Sequence, residues 1–247
     1  MSYFTVLLAL SFVLVAVLIS VKENLQLEKD LMIGSLRAFV QLIAIGYVLK
    51  FVFEMEKWPY IVIMISIMVL AAARNAEKRG QGIKNVFPML LLAIGMGEIL
   101  TMGMMLGLKI IPFQAQYVIP ISGMIIGNGM VASALTLNRV KAEVESRREE
   151  ILVLLGLGAT ARQASSSTLQ AALKSALIPT VDSLKTVGIV QLPGMMTGLI
   201  IGGVSHMVAV KYQLVVMLMI TSTVSVTAMI VAYFAYGKFF TERHQLI

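Results

Sequence analysis

The stretch YQLVVMLMITSTVSVTAMIVAYFAYG at residues 212–237 carries no charged side chain. About 20 apolar residues are enough for a helix to cross the ~30 Å hydrocarbon core of a bilayer, so this stretch predicts a membrane-spanning helix. Comparable stretches recur along the whole chain. The predicted spans are 3–21, 31–53, 58–73, 85–108, 110–138, 186–210 and 212–237. The sequence therefore predicts an all-α polytopic membrane protein with about seven transmembrane helices.

The composition supports this class. Hydrophobic residues make up 58% of the 247 residues and charged residues only 13%, whereas soluble domains average about 25% charged. A cytosolic globular enzyme or a disordered chain is excluded on these grounds. The chain has no cysteine, which excludes disulfides, thiolate metal sites and a cysteine nucleophile. We expect one membrane domain over residues 1–247.

Lysine and arginine are unevenly distributed between the two sides of the predicted bundle. Fifteen of the 20 lie in the first, third and fifth loops and the C-terminal tail, and four lie on the opposite side. Cytoplasmic loops of membrane proteins carry the excess of positive charge. The distribution predicts an N-terminus outside and a C-terminus in the cytoplasm, and the first span shows no signal-peptide pattern.

The fifth loop is long, and residues 139–180 are predicted to form a cytosolic segment with structure of its own. Helical charge spacing continues from the fifth span to Leu155, through the pairs Lys141–Glu145 and Glu143–Arg147. The sequence LGLGAT at 155–160 then breaks the helix, and Thr160 can cap a second helix over 161–177 that Pro179 ends. The segment is either a plain connecting hairpin or a docking helix for a soluble motor.

Several motifs resemble the bacterial iron-export ABC permease family of the FetB type, whose plant relatives are aluminium-tolerance membrane proteins. The likeness runs nearly end to end. Its motifs are PISGMIIGN at 120–128, LGAT at 157–160, IPTVDSLKTVG at 178–188, LPGMMTG at 192–198 and KYQ at 211–213. The resemblance implies the membrane subunit of an ABC transporter in the bacterial cytoplasmic (inner) membrane, a homodimer that exports metal ions, above all iron. The metal-contacting residues of that family are not assigned to positions of this chain.

The resemblance also implies a separate cytosolic ATPase, which would hold ATP and Mg²⁺. The chain itself has no Gly-x₄-Gly-Lys-Ser/Thr loop to bind nucleotide phosphates. We therefore predict that this chain is not an enzyme and that it binds no cofactor itself. The long loop is similar to the glycine-centred coupling motif of other ABC permeases. The predicted ATPase-coupling residues are Glu150, Gly156, Gly158, Ala159, Thr160 and Gln163.

Five polar or methionine positions are candidates for the substrate path. Glu98 is predicted to lie near the membrane midplane, where a charge costs at least ~2.5 kcal/mol on insertion scales. Its side chain either binds a cation or a proton along the substrate path, or is a carboxyl group hydrogen-bonded to a neighbouring helix. Asn128 and Met195-Met196 lie beside glycine or proline, where exposed carbonyls can line a cavity. Asp182 lies between Pro179 and the predicted sixth span. Arg37, a structural charge inside the second span, either pairs with Asp182 or stands alone.

Other functions remain open at this stage. Glu98 would suit a proton-coupled secondary transporter that works without an ATPase. The chain could also be an ABC permease for a different metal or an organic solute, or a membrane scaffold that transports nothing.

Overall fold

The computed structural model describes residues 11–55, 57–80, 83, 85–241 and 245–246. The start of the predicted first span, together with Lys84 and Arg243 from the charge distribution, lies outside the described residues. The chain divides into two compact units, Met1–Lys57 and Trp58–Ile247. The helices of the described part are α1 Ser11–Lys22, α2 Glu28–Met55, α3 Trp58–Glu77, α4 Val86–Gly107, α5 Ala115–Ser146, α6 Arg148–Gly156, α7 Ala161–Ala164, α8 Ser166–Thr186, α9 Gly194–Ile201 and α10 His206–Tyr236.

The first unit is a helical pair whose connection is fixed by one buried serine. The Ser20 hydroxyl donates to Oε1 of Glu28 at 2.7 Å and accepts the N–H of Leu27 at 3.1 Å. Ser20 is only 1% exposed, so these bonds satisfy its hydroxyl and tie the end of α1 to the start of α2.

The second unit is built around α4, α5 and α10, with α3 and α8 packed against them. Small residues allow the close approach of these helices. A Cβ atom on Gly97 of α4 would lie 2.6 Å from Oγ1 of Thr227 on α10. Nearby, the Thr101 and Thr223 hydroxyls of the same two helices lie 2.8 Å apart and share a hydrogen bond. Small residues and interhelical hydroxyl bonds are typical of helix packing in membranes.

Five described helices are long and apolar enough to cross a membrane by length and composition: Glu28–Glu54, Trp58–Glu77, Val86–Gly107, Ala115–Ser146 and His206–Phe239. They correspond to the second, third, fourth, fifth and seventh predicted spans. The shorter apolar helix Ser11–Lys22 covers residues 11–21 of the first predicted span and extends one residue beyond it. The all-helical prediction therefore agrees with the described residues, in which we find two isolated bridges and no strand.

The predicted sixth span, 186–210, is wrong as one continuous helix. Helix α8 ends at Thr186, α9 occupies only Gly194–Ile201, and α10 already begins at His206. At 1.5 Å per residue, the eight residues of α9 extend about 12 Å. Hydropathy failed here because an apolar run does not require a continuous helix, and Gly188 (φ +82) and Gly203 (φ +88) adopt the left-handed conformation.

Pro179 does not end a helix, contrary to the sequence prediction. Helix α8 continues through it to Thr186. A proline removes one helical hydrogen bond, but neighbouring helices make such a loss tolerable inside a membrane bundle, and α8 packs against both α5 and α10. The predicted second helix of the long loop also differs at its start, because it is interrupted at Ser165 into α7 and α8.

Candidate functional site

The first candidate site is the elbow, which we define as residues 147–164 and which follows the long helix α5. Helix α5 ends at Ser146, and Arg147 marks a bend before α6. The Arg147 guanidinium reaches Glu143 of α5 at 3.3 Å and Glu150 of α6 at 3.9 Å. The predicted Glu143–Arg147 pair is thus present. Arg147 holds both sides of the bend, although exposed pairs of this kind contribute little to stability.

A glycine turn joins α6 to α7 at the tip of the elbow. Gly158 has φ +90 and exposes its backbone to open space. Thr160 forms a capping box with Gln163: its hydroxyl accepts the N–H of Gln163 at 3.3 Å, and its own N–H donates to Oε1 of Gln163 at 2.9 Å. This reciprocal bonding satisfies two donors at the start of α7. The turn is therefore defined by local bonds.

The elbow has a packed inner face and an exposed outer face. Ile151, Ala161 and Ala164 are buried in the bundle core, and the Arg162 guanidinium lies 5.8 Å from the ring centroid of Tyr233 on α10. On the outer face Leu157 is 79% exposed. The predicted coupling residues Glu150, Gly156, Gly158, Thr160 and Gln163 are also exposed, and Ala159 is half-buried. All six therefore lie within the elbow, and five of them are exposed.

The second candidate site is a cavity of about 660 Å³ between α5, α8, α9 and α10. We call residues 187–193, which separate α8 from α9, the break. Gln191, Leu192 and Pro193 of the break line the cavity together with Asn128 and Met195. Asn128 lies 11 residues after Tyr117, or about 16 Å along α5. If Tyr117 marks the outer boundary, the cavity lies near the middle of a hydrocarbon core about 30 Å thick.

The break is closed on itself by backbone hydrogen bonds. The N–H of Val190 donates to the Thr186 carbonyl at 2.9 Å, and the N–H of Gly188 donates to the Gln191 carbonyl at 3.0 Å. Irregular backbone at membrane depth is tolerated where it is buried in protein or lines a cavity. The C-terminal half of the break, residues 191–193, forms a wall of the cavity, whereas Ile189 and Val190 are exposed.

Glu98 lies apart from this cavity. It is 4% exposed, and its Oε1 accepts a hydrogen bond from the Ser122 hydroxyl of α5 at 2.6 Å. Its Oε2 has no hydrogen-bond partner among the described residues. Glu98 lines a different cavity of about 510 Å³, formed by residues of α3 and α4. The geometry is that of a carboxyl bonded to a neighbouring helix.

The remaining candidates do not line the cavity. Asp182 is on the exposed side of α8, 3.7 Å from Lys185, while its neighbour Ser183 faces the cavity. Met196 is half-buried in α9. Arg37 is exposed on α2 in the first unit, and its pairing with Asp182 stays a prediction.

Sequence reasoning missed Gln213, a buried amide on α10 that lines the cavity. Its side chain is 5% exposed, and Oε1 finds no partner within the described part of the chain. The sequence did contain a signal for this residue, namely a single amide side chain within a long apolar helix. A polar side chain inside a membrane span is costly, so its presence indicates a functional role. The described residues hold no group of three or more His, Cys, Asp or Glu side chains that could bind a metal ion.

Known proteins resemble this chain over nearly its full length. The model of a family described as "Uncharacterised protein family (UPF0014)" matches residues 3–240. "Probable iron export permease protein FetB" of Escherichia coli is 45% identical over 97% of this chain and 93% of its own length. "UPF0014 membrane protein YjkA" of Bacillus subtilis is 42% identical, covering 100% and 98%. "Protein ALUMINUM SENSITIVE 3" of Arabidopsis thaliana is 37% identical, covering 96% and 87%. No solved structure matches the chain.

Proposed function

The chain belongs to the UPF0014 family of membrane proteins, and from this premise we propose that it is the permease subunit of an ATP-driven metal exporter. In this proposal two copies of the chain form the membrane core, and each engages a cytosolic ABC ATPase. Nucleotide-driven closure of the ATPases would favour one conformation of the membrane core over the other. ATP hydrolysis would take place in the partner ATPase, and this chain would form the path by which the metal crosses the membrane.

The elbow is the observation that carries the ATPase partnership. A capped glycine turn with a packed inner face is rigid, and Leu157 at 79% exposed is an apolar side chain without cover. Glu149 and Glu150 of the elbow are exposed as well. The elbow therefore presents the apolar side chain of Leu157 next to the charged side chains of Glu149 and Glu150. Such a short helical element is suited to insertion into a groove of a soluble protein. The name of the relative from E. coli supports iron as the metal.

A charged pair on α8 supports the homodimer. Asp182 and Lys185 are 61% and 70% exposed, and they neighbour Ser183, which lines the cavity between α5, α8, α9 and α10. Charged side chains inside a membrane-spanning segment are expensive against lipid and face water or protein instead. A second copy could cover this face, since an Asp and a Lys one helical turn apart can pair reciprocally across a two-fold axis.

Seven crossings are compatible with the observed helices. The five long helices, the shorter apolar helix α1 and the discontinuous pair α8–α9 would each cross once. An odd number of crossings places the two termini on opposite sides, in agreement with the charge distribution. Lys185, counted as cytoplasmic in the sequence analysis, would lie within the sixth crossing, but its removal leaves the bias unchanged in direction.

The test is co-purification of this chain with its ABC ATPase, followed by ATP hydrolysis in vesicles with and without Fe²⁺. Leu157→Asp should reduce recovery of the ATPase at least tenfold, because a charge replaces the apolar tip and a tenfold change needs only about 1.4 kcal/mol. Leu108→Asp is the matched control, since Leu108 is 67% exposed and follows α4, before the opposite end of α5. Equal recovery of both variants would contradict docking at the elbow, and transport by the chain alone under a pH gradient would contradict the ATP-driven class.

A further inference from the structure

The long helix α10 carries two exposed tyrosines whose spacing matches the thickness of a bilayer. Tyr212 and Tyr233 are both exposed, and the 21 residues between them in the numbering extend about 32 Å along a helix. The hydrocarbon core is about 30 Å thick, and tyrosine is enriched at both of its boundaries. Lys211 and Lys238 lie just outside the uncharged stretch 212–237. This spacing puts Tyr233 at the level of the lipid headgroups, on the side that the charge distribution assigns to the cytoplasm.

Tyr233 belongs to a cluster of aromatic rings at this end of α10. Its ring centroid lies 5.7 Å from that of Phe234 and 5.9 Å from that of Tyr236, and both contacts are edge-to-face. Tyr233 and Phe234 are exposed, whereas Tyr236 is half-buried. A tyrosine side chain combines an apolar ring with a polar hydroxyl, so at a membrane boundary the ring can contact acyl chains while the hydroxyl reaches the headgroups. The exposed cluster is therefore suited to contact with a phospholipid.

The elbow adds a positive charge to this aromatic cluster. The Arg162 guanidinium of α7 lies 5.8 Å from the ring centroid of Tyr233, within the range of a cation–π contact. Arg162 is exposed, and no carboxylate of the described residues forms an ion pair with it. Lys238, two residues after the end of α10, is exposed as well. Because a guanidinium has five N–H donors, Arg162 can still donate to an anionic oxygen.

Arg74 shows the same kind of contact with its charge already balanced. Its guanidinium, at the end of α3, lies 5.1 Å from the ring centroid of Phe87 on α4. It also reaches Oε2 of Glu77 at 3.4 Å. Arg74 therefore has a counter-ion from its own chain, whereas Arg162 has none in the described part of the protein. This difference makes Arg162 the arginine that an external anion would bind, and Arg74 a matched control.

We propose that Arg162 and Tyr233 form a binding site for an anionic phospholipid on the cytoplasmic side of the membrane. The Arg162 guanidinium donates to the lipid phosphate, whose geometry matches its planar fork, and the acyl chains lie along Tyr233 and Phe234. Basic pockets between membrane helices on this side hold anionic headgroups in the same way. Because Arg162 belongs to the elbow, the lipid would hold α7 against α10 and favour ATPase binding. This last consequence, unlike the lipid site itself, rests on the proposed function.

The test titrates the purified full chain in detergent with phosphatidylglycerol or phosphatidylcholine and measures the tightest bound lipid by native mass spectrometry. Phosphatidylglycerol should bind at least fivefold more tightly, which is about the contribution of one arginine near an anionic surface. Arg162→Gln should abolish this preference. Arg162→Lys should keep part of it, because an ammonium still attracts phosphate as a point charge. Arg74→Gln should leave the preference unchanged, and inorganic phosphate, which has no acyl chains, should not displace the lipid.

Several results would overturn the lipid site: equal affinity for the two lipids, an unchanged preference in Arg162→Gln, an equal loss in Arg74→Gln, or displacement by inorganic phosphate. A thermal melt shows whether each variant is folded, and Arg162→Lys keeps the test valid if Arg162→Gln unfolds.

Recovery of the ATPase from nanodiscs separates the lipid site from the proposed function. Recovery should be higher in phosphatidylglycerol than in phosphatidylcholine, and Arg162→Gln should remove the difference. If Arg162→Gln lowered recovery equally in both lipids and kept the lipid preference, Arg162 would contact the ATPase and the lipid site would be wrong. Absence of ATPase recovery in either lipid, with the lipid preference intact, would instead overturn the proposed function and leave the lipid site in place.

Discussion

The elbow and the break are both glycine turns between two helices, yet they belong to different environments. Gly158 at φ +90 and Gly188 at φ +82 adopt nearly the same conformation. The elbow begins at Arg147 with charged residues, and the capping box of Thr160 and Gln163 lies beside the exposed Leu157 at its tip. The break follows Lys185 and Thr186, contains no charged residue itself, and leads from α8 into the cavity wall. The same backbone device therefore serves, in our proposed function, partner binding in one region and the path of the metal in the other.

The largest expected effects come from substituting these two glycines by alanine. A residue with a side chain pays about 1–2 kcal/mol in the left-handed conformation, or roughly tenfold in the population of the turn. Gly158→Ala should reduce recovery of the ATPase about tenfold without changing metal uptake into inside-out vesicles per bound ATPase. Gly188→Ala should reduce metal uptake per bound ATPase about tenfold without changing recovery of the ATPase. Both quantities are measured on both variants.

Gly103→Ala is the matched control for this pair. Gly103 lies within helix α4 at an ordinary helical conformation, and a Cβ atom there meets nothing within 4 Å. Neither quantity should change. If Gly158→Ala and Gly188→Ala impaired both quantities alike, the two turns would be parts of one mechanical unit and the division of roles between them would be wrong.

The difference between the two turns also explains why the sequence predicted one of them and not the other. The elbow could be predicted from the sequence because its signals are local: Gly156, Gly158 and the capping Thr160 lie within five residues of one another. The break was not predicted, because residues 187–193 are uncharged and continue the hydropathy of the predicted span 186–210. Helix continuity depends on packing that the sequence does not state. The same limit applies to Pro179, which α8 tolerates because α5 and α10 hold it on both sides.

The candidate site was predictable to a similar degree. Asn128 and Met195 were identified from nearby glycine and proline, and the structure brings them into one cavity. Gln213 was overlooked because its environment becomes evident only when α8, α9 and α10 are placed around it. Depth alone suggested Glu98 for the path, but the direction in which a side chain leaves its helix decides which cavity it lines.

Gly97→Ala is a control variant that disturbs only the packing between α4 and α10, away from both turns. A Cβ atom at this position would lie 2.6 Å from Thr227 Oγ1, and overpacking of a core typically costs about 1–3 kcal/mol. The variant should melt at a lower temperature in detergent than the unaltered chain. The folded fraction should keep both ATPase recovery and metal uptake per bound ATPase. A selective loss of one of them would show that the helix contact at Gly97 communicates with only one of the turns.

Thr160→Ala should have a smaller effect, confined to the elbow. Removal of the hydroxyl eliminates half of the capping box with Gln163, and loss of an N-cap costs about 1 kcal/mol. Recovery of the ATPase should fall about fivefold, with metal uptake per bound ATPase unchanged. Ser66→Ala is the control, because its hydroxyl donates only to the Val62 carbonyl within α3. An equal effect of Ser66→Ala would show that loss of any hydroxyl, and not loss of the cap, is responsible.

Glu98→Gln should have the smallest effect on transport, although Glu98 is the most deeply placed acidic residue of the predicted path. The glutamine amide can keep the hydrogen bond with Ser122, and the side chain lines the cavity of α3 and α4 instead of the cavity at the break. ATP-dependent metal uptake into inside-out vesicles should stay within about twofold of the unaltered chain, a difference of about 0.4 kcal/mol. Loss of uptake with normal ATPase recovery would assign Glu98 to the path. It would also favour a coupled proton, because neither the elbow nor the break would then contain the residue on which movement of the substrate depends.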